Sequence, residues 1–120
     1  PSVAWDVSGF AASPIESESH VALADDLRRK CLRSLKLCAV DSEPWFAFEN
    51  INHSSYRLNI EQMPDHILDW PIDLIPVWDP CFIVAPDFSC GIIATLRDSV
   101  RVFGRDLLQA VMSDLPDLFS

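Results

Sequence analysis

Residues 2 to 8, SVAWDVS, set Val3, Trp5 and Val7 against Ser2, Ala4, Asp6 and Ser8, a period of two that predicts a strand with one buried face. GFAASPIESES follows as a turn-rich connection, in which Ser13-Pro14-Ile15-Glu16 or Ser17 to Ser19 can cap a helix. The period then lengthens. From about His20 to Cys38 the apolar positions Ala24, Leu27, Cys31, Leu35 and Cys38 recur every three or four residues, predicting a helix with both cysteines on its buried stripe. Asp25 and Asp26 occupy its first half and Arg28, Arg29, Lys30, Arg33 and Lys36 its second. The helix dipole favours that order, which explains the basic cluster without a ligand.

WFAFEN (45 to 50) and SYRLNI (55 to 60) predict two strands, with Trp45, Ala47 and Glu49 on one face and Phe46 and Phe48 on the other. The next twenty residues, EQMPDHILDWPIDLIPVWDP, carry four prolines and no sustained period. They predict a long irregular connection or an edge, and an edge near Glu61 to Pro80 could accept a strand from another chain. CFIVA (81 to 85) and GIIATL (91 to 96) flank the turn formers of PDFSC and predict a hairpin, in which Phe88 is an anchor and Gly91 relieves the backbone as the second arm begins. SVRVF (99 to 103) alternates as a further strand. Beyond Gly104, the residues Leu107, Leu108, Val111 and Leu115 form a helical stripe. The expected fold is a single α+β domain over residues 1–120: an antiparallel sheet of four to six strands, from residues 2–8, 45–60 and 81–103, on helices near 20–38 and 105–114. Strand order does not follow from the pattern.

Charge narrows the partners. The chain has 9 basic and 18 acidic residues, a formal net charge of −9, which repels nucleic acid and anionic membranes. No run approaches the roughly 20 apolar residues of a membrane-spanning helix. Four cysteines without a dense framework, and no secretory leader at the start, lead to the expectation of reduced thiols in the cytoplasm. Because the chain starts at Pro1, a native N-terminal segment is expected to be missing.

The side chains that could carry chemistry do not converge in sequence. Cys90 as a nucleophile would need a depressed pKa and a base, and His20, His53 and His66 are scattered. Cys31 and Cys38 are spaced for a core, and neither a CxxC pair nor a histidine i, i+4 pair is present, so neither metal nor cofactor is expected. Three glycines exclude a glycine-rich phosphate loop. From Glu61 to Asp98, however, Glu61, Asp65, Asp69, Asp73, Asp79, Asp87 and Asp98 face Arg97 alone, and Trp70 and Trp78 lie among them. Aromatic anchors amid carboxylates suit a basic protein partner, so Asp65, Asp69, Trp70, Asp73, Trp78, Asp79 and Asp87 are the expected partner-binding residues.

From about Trp45 onward the chain resembles a bacterial family, domain of unknown function 2716. The resemblance rests on His53 and Tyr56; Trp70, Pro76 and Asp79; Asp87-Phe88-Ser89 with Gly91; and Phe103-Gly104 with Leu107 and Leu108. PSVAWDVS is similar to a Pro-Ser-rich strand upstream in that family. The chain departs from it where Trp78-Asp79-Pro80-Cys81 replaces a Gly-Asp turn with tyrosines, and near Thr95 to Asp98, where the family has His-Pro-Trp-Glu. Relatives of this kind often accompany secreted polymorphic toxins. The resemblance therefore implies an immunity protein, not an enzyme, that occludes a toxin of a contact-dependent or type VI secretion system. The alternatives are a small enzyme or ligand-binding domain using Asp87, Cys90 and His53, and an interaction module with another partner.

Overall fold

In the computed structural model, the described residues are 1–8, 18–39, 43–49, 54–63, 81–94 and 99–119. They form six strands: β1 (Ser2–Asp6), β2 (Trp45–Glu49), β3 (Ser54–Leu58), β4 (Cys81–Val84), β5 (Gly91–Ala94) and β6 (Ser99–Phe103). The helices are α1 (Glu18–Cys38) and α2 (Arg105–Ser113), with 3-10 turns at Ile60–Gln62 and Asp117–Phe119. All strands pair antiparallel in one sheet of order β1-β6-β5-β4-β2-β3, so the α+β expectation holds at its upper strand count. The first strand closes onto the last, and the Gly104 N–H donates to the Pro1 carbonyl at 3.1 Å.

The sheet's pleat decides what is buried. Val102, Ile92, Ile83 and Ala47 lie opposite one another across four strands, and Val100, Ala94 and Cys81 form the adjacent row. All seven are buried, in one core with Leu27, Cys31, Leu32 and Leu35 of α1 and Leu107 and Val111 of α2. Burying such aliphatic side chains contributes roughly 1.5–3 kcal/mol each relative to leaving them in water. On α1 the stripe is broader than expected, because Leu32 and Ser34 are buried too, whereas Cys38 is only half-buried. Cys38 still packs against the core from its edge, so both cysteines lie on the core-facing side, Cys31 enclosed and Cys38 partly open.

Ion pairs fasten the C-terminal segment to α1. Lys30 Nζ lies 2.9 Å from Asp26 and 3.3 Å from Asp117, and donates to the Leu115 carbonyl. Arg33 reaches Asp114 through two nitrogens, and Asp26 accepts from the Asp117 amide at 2.7 Å. Phe119 then stacks on Trp5 with centroids 4.4 Å apart and planes 2° from parallel. Arg29, Lys30 and Arg33 of the basic half of α1 are thus engaged by acidic residues of their own chain, consistent with the ligand-free account of that cluster.

Candidate partner-binding surface

The hairpin between β4 and β5 presents the most exposed aromatic ring among the described residues. Pro86 and Asp87 occupy the centre of a β-turn closed by Phe88 N–H to the Ala85 carbonyl at 2.9 Å, and Ala85 N–H donates to the Cys90 carbonyl at 2.9 Å. Asp87 Oδ1 accepts from the Ser89 amide at 3.1 Å and from its hydroxyl at 2.7 Å. The Ser89 hydroxyl, and after it the amide, hold the Asp87 carboxyl below its ordinary pKa, so the tip is negatively charged at neutral pH.

Phe88 sits at φ 60°, in the left-handed region that costs a side-chain-bearing residue about 1–2 kcal/mol. A hairpin that follows a turn with a left-handed residue ordinarily places glycine there. Here the ring lies 66% exposed, stacked at 5.7 Å and 7° on Phe46, whose own ring has the Arg57 guanidinium 5.7 Å from its centroid. Phe48 stacks on Phe82 at 5.6 Å on the same side of the sheet, with Ile93 and Phe103 half-buried nearby in the register. This is the sheet face turned away from the helices. The expected division of β2 is confirmed: Trp45 and Ala47 enter the core, and Phe46 and Phe48 build the opposite face.

Gly91 corrects one expectation. Its backbone is not left-handed; a Cβ there would meet the Ile83 carbonyl oxygen at 2.6 Å and Val84 Cγ1 at 2.7 Å. Close packing, not dihedral freedom, requires glycine at 91, and the conformational strain falls three residues earlier on Phe88. Gly104, at φ 93°, needs both, because a Cβ would also come within 2.3 Å of Cys90 Cβ.

Of the expected binding residues, the structure places Asp87 at the hairpin tip; Asp65, Asp69, Trp70, Asp73, Trp78 and Asp79 lie outside the described residues. So does nearly all of the expected Glu61 to Pro80 edge, while among the described residues the sheet's edge strands are β1 and β3. His53 and His66 also lie outside the description, as does the His20 side chain, so the Asp87, Cys90 and His53 grouping is not assembled within it. Cys90 immediately precedes β5, and burial pushes its thiol above the ordinary value, against the depressed pKa of a fast catalytic nucleophile. Among the described residues no group of three or more His, Cys, Asp or Glu side chains could hold a metal, and no helix is long and apolar enough to cross a membrane. Two open grooves flank the hairpin stem, of about 670 and 240 Å³; the larger is lined by Cys38, Cys90, Arg105, Asp106 and Asp114, the smaller by Glu43, Trp45 and Asp87 among others.

Comparison with known proteins adds a lineage. The family model of DUF2716, described as a protein of unknown function, matches residues 1–108. The match thus begins at β1, well upstream of the Trp45 boundary drawn from the sequence. The uncharacterized protein YxiI of Bacillus subtilis (strain 168) is 28% identical over 118 residues, covering 96% of this chain and 72% of that one. No solved structure matches.

Proposed function

The chain belongs to the DUF2716 family, whose description assigns no activity, and we propose that it is a protein-binding module, specifically an immunity protein that neutralises a secreted bacterial toxin by occluding it. The observation that carries this reading is the hairpin tip. A phenyl ring at a left-handed position, stacked on Phe46 beside an ionised carboxylate, keeps two-thirds of its surface in water where glycine or asparagine would adopt the backbone with less strain. It does suit recognition: a rigid aromatic supplies contact area at low entropic cost, and a carboxylate steers a basic partner toward it. The net charge of −9 acts in the same direction, and a toxin with a basic cleft for polyanions is the natural target. The acidic segment with Asp65, Asp69, Trp70, Asp73, Trp78 and Asp79 would extend that surface, and the cytoplasm, where a toxin must be met, is the proposed compartment.

The direct test is growth protection. The product of the gene adjacent to this one is expressed in a susceptible bacterium with or without this protein, and rescue is expected with the wild type. Killing that the wild type does not prevent would refute the immunity role. Against a toxin that is neutralised, Asp87→Lys, or Asp69→Lys with Asp73→Lys, should slow association and flatten its salt dependence, while Phe88→Ala should speed dissociation.

A further inference from the structure

Two thiols at the edge of the core lie outside the proposed binding tip. Cys38 ends α1, and Cys90 immediately precedes β5; both are free and half-buried, whereas Cys31 and Cys81 are enclosed by the core. The two grooves beside the hairpin stem share three lining residues, Cys38, Ser89 and Cys90, so both thiols stand on the wall where the grooves meet. Their proximity is also electrostatic: after burial, a charge on Cys90 is the next influence raising the Cys38 thiol, to about 11. Two half-buried thiols from separate elements line the same two grooves, which makes them a pair and not an isolated cysteine.

We propose that Cys38 and Cys90 form a dithiol modification site that reacts with small disulfides of the glutathione class and closes to an intramolecular disulfide. Cys90 attacks first. Burial raises its thiol, but the Ser89 hydrogen bond favours the thiolate, a help that Cys38 lacks. The Cys90 thiolate displaces one glutathione thiolate from the oxidant, leaving a mixed disulfide, and the released thiolate takes up a proton. Cys38, after losing its own proton, attacks the Cys90 sulfur and expels the second glutathione. Two protein thiols thereby lose two electrons and two protons, and the oxidant gains them as two thiols. Because both thiols are hard to ionise, the reaction is slow; because the product is neutral, burial does not oppose it. The cross-link ties the end of α1 to the stem of the hairpin that carries Phe88, so oxidation stiffens the base of that tip.

The test uses the full chain with oxidised glutathione as the probe, followed by alkylation of unreacted thiols and peptide mapping by mass spectrometry. A peptide pair joined through Cys38 and Cys90 is expected, preceded by a transient single glutathione adduct on Cys90. In Cys38→Ser the adduct on Cys90 should persist. A cross-link through Cys31 or Cys81, stable adducts without closure, or recovery of both thiols unmodified would overturn the proposal. The wild-type map decides the matter even if the variant fails to fold.

Discussion

Phe88 supports a prediction in which the usual ranking of two substitutions reverses. Phe88→Ala and Phe88→Gly remove the same ring and therefore the same interactions: a stack on Phe46 worth about 0.5–1.5 kcal/mol, and the burial of about a third of the side chain, worth about 0.5–1 kcal/mol. What differs is the backbone. Glycine loses more entropy on folding, which elsewhere makes it less stable than alanine by about 0.4–1 kcal/mol. At φ 60°, however, alanine retains a left-handed strain of about 1–2 kcal/mol that glycine does not incur. The difference favours glycine by about 0.5–1 kcal/mol. Urea denaturation at unchanged m should place the midpoint of Phe88→Gly above that of Phe88→Ala by about 0.2–1 M. Both variants should fall below wild type, and both should lose partner affinity alike, since the ring is the contact. Alanine matching or exceeding glycine would show that residue 88 is not held left-handed, and the strain argument for a functional tip would fall with it.

Two further outcomes test the framework behind the tip. Gly91→Ala should destabilise by about 1–3 kcal/mol, because its methyl would press on the Ile83 carbonyl and Val84 Cγ1, atoms on the neighbouring strand; an unchanged thermal midpoint would contradict the tight β4–β5 packing. The C-terminal clasp should make stability fall at both pH extremes. Burial alone would raise Asp26, but the Asp117 amide and then Lys30 outweigh it and lower its carboxyl pKa, so its contribution is complete above 3.8 and is lost as pH falls through the folded value. Lys30 is raised, chiefly by its hydrogen bond to Asp26, so its contribution is complete below 10.5 and is lost as pH rises through the folded value. Thermal melting across pH should show both limbs, and an acid limb identical in Asp26→Asn and wild type would remove Asp26 from the account.

The elements were legible because their periods are clean. Alternation through Val3, Trp5 and Val7 and through Val100 and Val102 located β1 and β6, and spacing through Leu27, Cys31 and Leu35 located α1. Strand order was not, since pairing β1 with β6 brings together residues from opposite ends of the chain through contacts that no local pattern encodes. The turn of Asp117–Phe119 was missed for a similar reason: what holds it is Trp5, Asp26 and Lys30, all remote in sequence. Within the site, Asp87 and Phe88 stood out as residue types. Their distinctive features, the hydrogen-bonded carboxylate and the left-handed backbone, are consequences of turn register.

That register also explains why glycine and strain fall at different positions. Val84 pairs with Gly91, and Gly91 with Phe103, so the glycine lies between two larger side chains on the aromatic face, where any Cβ would collide. The chain must therefore complete its reversal before residue 91. With Pro86 and Asp87 taking the centre of the turn, the left-handed step falls to Phe88. The phenyl ring stacks back over Phe46, which offsets that strain, yet keeps two-thirds of its surface in water. The stack on Phe46 offsets the strain inside the fold, and a partner that covers the exposed ring would use the contact area that the stack leaves in water.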